Sequence, residues 1–144
     1  MSDLLGETRI MAIDFGLKRI GIALSDTLKM FAYPHTTILN NDRFFLELDK
    51  IIKEKGIIKI ILGIPNQNRV SKTSVVKDIN EFRLKLNNRY GLEVILWDET
   101  FTSIIAQQHI LESVNKKEKR KDKGLLDMHS AAIILQEFLD KQKA

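Results

Sequence analysis

The chain has 144 residues, of which 44% are hydrophobic and 29% charged, and it contains no cysteine. These values are ordinary for a soluble globular protein and predict one domain over residues 1–144 with a genuine core. The lack of cysteine excludes a disulfide framework, a thiolate metal site and a cysteine nucleophile. No apolar run is long enough to cross a membrane, and the first residues lack a signal-peptide pattern, so we expect a cytoplasmic protein.

One segment of the chain carries the whole excess of positive charge. This basic segment, residues 116–123, contains six bases and two acids, which equals the net charge of +4 for the entire chain. It has no apolar residue and so cannot bury itself. Its bases are Lys116, Lys117, Lys119, Arg120, Lys121 and Lys123. Two interpretations are open, a solvated loop or a basic flap that binds the phosphate backbone of a nucleic acid.

Three strand patterns follow one another near the start of the chain, at residues 9–15, 19–25 and 31–39. Each is rich in aliphatic, β-branched or aromatic residues, and the links between them are short. Short links favour antiparallel pairing, so we expect a three-stranded meander. Pro34 predicts that the third strand lies at an edge of the sheet or is interrupted.

The pattern then changes to alternating helices and strands. Asn40 or Asn41 can cap the first helix, and further helices are predicted from about residues 71, 102 and 125, with strands at 57–62 and 92–97. Helical links of this length favour parallel pairing of the strands that they join. We therefore predict an α/β fold with a mixed five-stranded sheet, its first three strands antiparallel and helices on both faces. This pattern is the ribonuclease H-like arrangement.

Acidic residues stand where the predicted strands and the last helix meet solvent. Asp14 ends the first strand, Asp98 and Glu99 end the last strand, and Asp127 opens the final helix. In an α/β sheet, ligands collect outside the carboxyl ends of the parallel strands, so we expect these acids on one rim. Small residues such as Ser130 let the final helix approach the sheet, and a first-turn position of Asp127 favours its ionised form.

Carboxylates that converge on one point repel each other unless a cation lies between them. Oxygen ligands suit Mg²⁺ or Mn²⁺, and a pair of such ions can activate water and stabilise the leaving oxygen in phosphodiester cleavage. Gly16, two residues after Asp14, permits a tight turn or the close approach of another backbone. The alternative interpretation is that each acid only caps a turn or a helix.

The run IDFGLKRIGIALSD at residues 13–26 resembles the opening signature of the YqgF family. Three further segments are similar in order and spacing, namely LGIP at 62–65, WDETFTS at 97–103 and DMHSAAIIL at 127–135. The family comprises Holliday-junction resolvases, also assigned as nucleases that mature the precursor of 16S ribosomal RNA. The resemblance implies a ribonuclease H-like fold and metal-dependent hydrolysis of phosphodiesters, in ribosome biogenesis or in junction resolution.

The resemblance also assigns roles to individual residues. It implies a catalytic, metal-binding triad of Asp14, Glu99 and Asp127, while the neighbouring Asp98 gives support. It implies that Lys18 and Arg19, in the basic turn after the first strand, hold a substrate phosphate, for which arginine offers a bidentate grip.

The chain departs from the family pattern directly after the strand-end glutamate. The family usually carries an arginine there, and this chain has Thr100. The loop after Pro65 also lacks the glycine that the family usually has. We expect Arg69, within that loop, to supply the missing positive charge and to grip the substrate.

Three functions remain open at this point. The first is a metal-dependent nuclease on structured nucleic acid, either precursor ribosomal RNA, alone or on ribosomal particles, or branched DNA. The second is a non-catalytic nucleic-acid-binding protein on the same fold, which Thr100 favours. The third is an ATP-binding domain of the actin and sugar-kinase type, but that fold normally duplicates its unit and this chain has no second copy. The protein is expected to be a monomer or a homodimer, and a symmetric junction would favour a two-fold dimer.

Overall fold

The computed structural model describes residues 7–64, 73–98 and 123–143. Its strands are β1 (Arg9–Asp14), β2 (Arg19–Ser25), β3 (Ala32–Leu39), β4 (Ile57–Ile64) and β5 (Glu93–Asp98). The helices within these ranges are α1 (Phe44–Glu54), α2 (Thr73–Tyr90) and α3 (Lys123–Lys143). None of these helices is both long and apolar enough to span a membrane. The helix predicted from Thr102 lies outside the described residues.

The strands form one mixed sheet in the order β3-β2-β1-β4-β5. The pairs β1–β2 and β2–β3 are antiparallel, and the pairs β1–β4 and β4–β5 are parallel. Pro34 lies on the edge strand β3 opposite Ala23, and the register shifts between Ile22 and Ala23. An edge position is one of the few places where a sheet tolerates a residue without an N–H group.

Helices cover the sheet on both faces, so the central strand β1 is buried on both sides. Met11 and Ile13 lie in the apolar cluster beneath α1 and α2. Ile10 and Ala12 lie in the second cluster, beneath α3. This division follows from the period-two alternation of side chains along a strand. The α/β fold predicted from the sequence is thereby confirmed.

The last helix begins earlier than the sequence pattern indicates. α3 starts at Lys123 rather than at Leu125, and the hydroxyl of Thr37 on β3 donates a hydrogen bond to the carbonyl of Gly124 in its first turn. Asp127 is therefore in the second turn of α3, and the prediction of a first-turn position was wrong. Since the effect of the helix dipole falls off within the first turn, the dipole acts only weakly on a carboxylate at this position.

Candidate active site

The carboxyl ends of the parallel strands β1, β4 and β5 form one rim of the sheet. Asp14 ends β1 opposite Gly63 of β4, and Gly63 pairs in turn with Trp97 of β5. Asp98 follows one residue beyond that row, opposite Ile64. The structure therefore places Asp14 and Asp98 on the same rim, with β4 between their two strands.

Asp14 and Asp98 nevertheless point to opposite faces of the sheet. Asp14 alternates in phase with Ala12, which lies in the cluster beneath α3. Trp97 packs edge-on against Phe138 of α3, with 5.7 Å between ring centroids. By the same alternation its neighbour Asp98 faces away from α3, where it is exposed to solvent. Asp98 thus lies on the rim without sharing the side of Asp14.

Asp127 is not on a strand but on α3, and it comes close to the rim because this helix packs against the sheet. Asp14 is paired with Gly21 of β2, and residues directly opposite each other in an antiparallel pair have Cα atoms roughly 4.5–5.5 Å apart. A Cβ atom on Gly21 would lie 2.1 Å from the main-chain carbonyl oxygen of Asp127, so the backbone of α3 rests directly on Gly21. Asp14 and Asp127 are therefore brought together on the α3 side of the rim, on either side of one glycine.

Arg19 places a positive charge beside Asp127. Its Nε–H group donates a hydrogen bond to Oδ2 of Asp127 at 3.1 Å, and the two side chains are 31% and 23% exposed. Arg19 opens β2 and alternates in phase with Gly21, so it faces α3. Lys18, its neighbour in the turn, is exposed to solvent. The two bases that the sequence pattern treats as equivalent therefore lie in different environments.

The turn between β1 and β2 is held by the end of β3. Gly16 leaves no room for a side chain, because a Cβ atom there would lie 2.2 Å from the carbonyl oxygen of Arg19. Asn40 donates from its side-chain Nδ2 to the carbonyl of Gly16 and from its main-chain N–H to the carbonyl of Lys18, both at 2.9 Å. Both roles predicted for Gly16 are therefore observed. The turn is tight, and the main chain of another segment lies close to Gly16.

The sequence pattern does not indicate Asn40 or Gly21 as site residues, and it predicts Asn40 only as a possible helix cap. The meander itself contained the signal for Asn40. The third strand of a meander returns to the start of the second strand, so the residue after it must lie beside the first turn. For Gly21 no local signal exists, because a glycine within a strand does not reveal which helix will pack upon it.

Among the remaining predicted site residues, the side chain of Ser130 is described, whereas most of the others lie outside the described ranges. Ser130 follows Asp127 by about one helical turn and is 2% exposed, on the face of α3 that packs against the sheet. Lys123 begins α3, but its side chain is not among those described. The residues that lie outside the described ranges are Glu99, Thr100, Arg69, Lys116, Lys117, Lys119, Arg120 and Lys121.

The described residues alone do not form a complete metal site. Within them, no group of three or more acidic or histidine side chains gathers closely enough to hold a metal ion. The predicted triad includes Glu99, which is outside those residues, so the assignment of the triad stays a prediction.

The sheet order, the two helical layers and the rim of acids define a ribonuclease H-like α/β protein. T. thermophilus RuvC in complex with a Holliday junction substrate has this fold, with a TM-score of 0.58 at 11% identity over 94% of this chain and 96% of that one. The Fowlpox virus resolvase, in complex with Holliday junction DNA, gives a TM-score of 0.60 at 15% identity over 94% and 99% of the two chains. The predicted fold class is thereby confirmed in full.

The chain belongs to the RuvX (YqgF) family, described as Holliday junction resolvases, whose family model matches residues 8–141. A protein of Caldicellulosiruptor bescii is 38% identical over 92% of this chain and 96% of its own length. A protein of Bacteroides thetaiotaomicron is 39% identical over 94% and 99% of the two chains. Both are named "Putative pre-16S rRNA nuclease". The resemblance drawn from the sequence motifs is confirmed, and the family is one of nucleases, hydrolases that act on phosphodiester bonds.

Proposed function

We propose that the chain, as a single domain over residues 1–144, is a metal-dependent endonuclease that hydrolyses phosphodiester bonds in structured nucleic acid. The observation that supports the proposal most directly is the approach of Asp14 and Asp127 across Gly21, on the α3 side of the rim. Two carboxylates held by a strand and a helix form a more rigid oxygen-rich site than loop residues would. Glu99, the residue after Asp98 in the chain, is the proposed third member.

The donor set of this site fits a hard divalent cation. Carboxylate oxygens without nitrogen or sulfur ligands favour Mg²⁺ or Mn²⁺ over zinc. The Asp127 carboxylate already forms an ion pair with Arg19, which indicates that this position favours a cation beside it. Asp14, Glu99 and Asp127 would hold one or two ions, which when bound would activate the attacking water and stabilise the leaving oxygen.

Basic side chains of the chain would hold the substrate beside these carboxylates. Lys18 is exposed in the turn that follows β1, next to the rim, where it can contact a phosphate. Arg69 and the basic segment are proposed to extend this contact along the nucleic-acid backbone. Phosphate contacts of this kind release counterions, so the affinity is expected to fall steeply as the salt concentration rises.

The precursor of 16S ribosomal RNA is the substrate that we propose first, because the curated relatives carry that substrate in their names. The reaction would belong to ribosome maturation in the cytoplasm, on free precursor or on ribosomal particles. A four-way DNA junction is the second candidate, since the family description and both structural neighbours name it. Only the second substrate would require a two-fold dimer, because only the junction has that symmetry.

Cleavage assays on both substrates test the proposal. Purified protein is incubated with a precursor fragment that spans the 5′ end of 16S ribosomal RNA and, separately, with a four-way DNA junction, each with Mn²⁺, Mg²⁺ or a chelator. Wild-type protein is expected to cleave at least one of them only when metal is present. Asp14→Asn is expected to lower the rate about 100-fold or more, because it removes a charged metal ligand at the reacting centre.

Glu54→Gln is the matched control for this substitution. It makes the same carboxylate-to-amide change at the end of α1, two residues before Gly56, whose carbonyl accepts a hydrogen bond from the first residue of β1 at the far end of the sheet. Its cleavage rate should equal that of wild type. Binding of either substrate without metal-dependent cleavage would instead support the non-catalytic alternative, and cleavage by Asp14→Asn at the wild-type rate would refute the proposed site.

A further inference from the structure

The side chain of Arg19 lies on the α3 side of the sheet and is partly exposed. Along β2, Ile20 and Ile22 belong to the cluster under α1 and α2, whereas Ala23 belongs to the cluster under α3. Arg19 and Gly21 alternate in phase with Ala23, so all three face α3. The strand therefore aims Arg19 at the segment of α3 that contains Asp127, and the 3.1 Å contact between them follows from this direction.

The contact between Arg19 and Asp127 is more protected than an ordinary surface ion pair. Neither side chain is more than about one third exposed, at 31% and 23%. Solvent therefore screens the pair less than it screens exposed pairs, and its charges interact more strongly. The Nε–H group of the guanidinium is directed at one carboxylate oxygen, Oδ2, so the bond to Arg19 favours a particular orientation of the Asp127 carboxylate.

Lys18 differs from Arg19 in its exposure, its place in the chain and its contacts. It is exposed, it lies in the turn rather than in β2, and its main chain is fixed by the hydrogen bond from Asn40. A flexible, hydrated ammonium group in that position suits a phosphate that arrives from solvent. The side chain of Arg19, in contrast, is already engaged by a carboxylate of the protein.

We propose that Arg19 is a positioning residue that acts through Asp127, and that its charge competes with a divalent cation for this carboxylate. The hydrogen bond fixes Asp127 beside Asp14, and the guanidinium balances the negative charge of the metal-free site. Lys18 then carries the contact with the substrate phosphate. The inference rests on the proposed function, because it takes Asp127 to be a metal ligand.

Titration of the free protein with Mn²⁺ alone, by calorimetry, tests the competition without nucleic acid and without turnover. Arg19→Gln keeps a hydrogen-bond donor but removes the charge, so it is expected to bind Mn²⁺ about threefold to tenfold more tightly than wild type. Arg19→Lys keeps the charge and should bind Mn²⁺ as wild type does. Lys18→Gln makes the same change of net charge at the neighbouring exposed position, and its affinity for Mn²⁺ should stay within about twofold of wild type.

Steady-state cleavage at saturating Mn²⁺ then separates positioning from substrate binding. Arg19→Gln is expected to lower kcat about tenfold or more with little change in KM, because a carboxylate that is no longer held loses its catalytic orientation. Arg19→Lys should recover part of that loss. Lys18→Gln should raise KM and leave kcat nearly unchanged, since it removes binding that is equal in the ground state and the transition state.

Two results would overturn the inference, namely an unchanged affinity of Arg19→Gln for Mn²⁺, or a raised KM with wild-type kcat for that variant. Either of them, found together with an inactive Asp14→Asn, refutes only the role of Arg19. Equal Mn²⁺ binding and cleavage by Asp14→Asn and wild type would refute the proposed function itself. Circular dichroism establishes that each variant is folded, and Arg19→Met, which keeps the aliphatic stem, replaces Arg19→Gln if that variant unfolds.

Discussion

Gly21 on β2 and Asp127 on α3 are in main-chain contact. A Cβ atom on Gly21 would lie 2.1 Å from the carbonyl oxygen of Asp127 and 2.8 Å from the amide nitrogen of Met128, which is closer than Cβ atoms come to such neighbours in proteins. Since Gly21 is also the partner of Asp14 in the sheet, the absence of a side chain at this one position lets the main chains of Asp14 and Asp127 lie close together. The position of Asp127 therefore depends on β2 as well as on α3.

Gly21→Ala is expected to destabilise the protein and to lower cleavage more than its loss of stability explains. The added methyl group meets backbone atoms, which cannot rotate away, so α3 must shift outward and carry Asp127 from Asp14. Overpacking of this kind typically costs about 1–3 kcal/mol. Urea denaturation gives the free energy of unfolding, and cleavage is measured at a temperature where the variant remains folded.

Gly91→Ala is the control for this substitution. Gly91 has a φ of +64° and no atom within 4 Å of its would-be Cβ, so alanine there is strained by its backbone conformation alone. The expected cost is about 1 kcal/mol, with cleavage per folded molecule unchanged. Wild-type activity in a folded Gly21→Ala protein would contradict the view that this contact sets the geometry of the site.

Asn40→Ala is expected to loosen the turn between β1 and β2 and to reduce cleavage several-fold. It removes the hydrogen bond from Nδ2 to the carbonyl of Gly16, 2.9 Å long, which ties the turn to the end of β3. The free energy of unfolding should fall by only about 0.5–1.5 kcal/mol, as is usual for a single hydrogen bond. The same urea and cleavage measurements report the two effects separately.

Asn87→Ala removes an equivalent contact away from the rim of acids. The Nδ2 group of Asn87 donates to the carbonyl of Leu92, 3.1 Å away, across the link between α2 and β5. Its loss of stability should resemble that of Asn40→Ala, with cleavage unaffected. If both variants lost activity equally, the effect of Asn40 would be one of general stability rather than of the site.

Asp49→Asn is expected to weaken the attachment of α1 to α2 at neutral pH but not in strong acid. Asp49 accepts hydrogen bonds from Nε and Nη2 of Arg89 at 2.8 and 2.6 Å, and from the hydroxyl of Tyr90 at 2.6 Å. These bonds, those from Arg89 foremost, lower the pKa of Asp49 from 3.8 to about 2. Burial of the Tyr90 side chain raises its pKa, and the hydrogen bond to the same carboxylate raises it further.

The pH dependence of this effect follows from the lowered pKa of Asp49. Because the folded state favours the ionised carboxylate, the stabilisation is complete above about pH 4 and is lost as the pH falls through about 2. The urea midpoint of Asp49→Asn should therefore lie below that of wild type at pH 7, and the two midpoints should converge near pH 2. Glu81→Gln, an exposed change on α2, should leave the midpoint unchanged at both values. A difference that persisted in strong acid would mean that the carboxylate charge is not its cause.

The elements of the fold could be predicted from the sequence because their causes are local. The apolar run of β1 and the short links of the meander determine strands, and the periodic apolar residues of α1 and α2 determine helices. The ends of elements were less predictable where tertiary contacts extend them. β4 continues through Gly63 to Ile64 because its neighbours Asp14 and Asp98 pair with those residues, and α3 begins before Leu125, where Thr37 bonds to Gly124.

What the sequence determined by itself was the set of candidate acids, the strand ends at which Asp14 and Asp98 lie, and the family to which the chain belongs. The tertiary structure alone decided which of these acids share a face, because that depends on the phase of each strand against the helix that covers it. It turned Asp14 towards α3 and Asp98 away from it, and it paired Arg19 with Asp127 instead of leaving that arginine in solvent. The face to which a strand residue points and the packing of a helix on that face both depend on contacts between residues that are far apart in the chain.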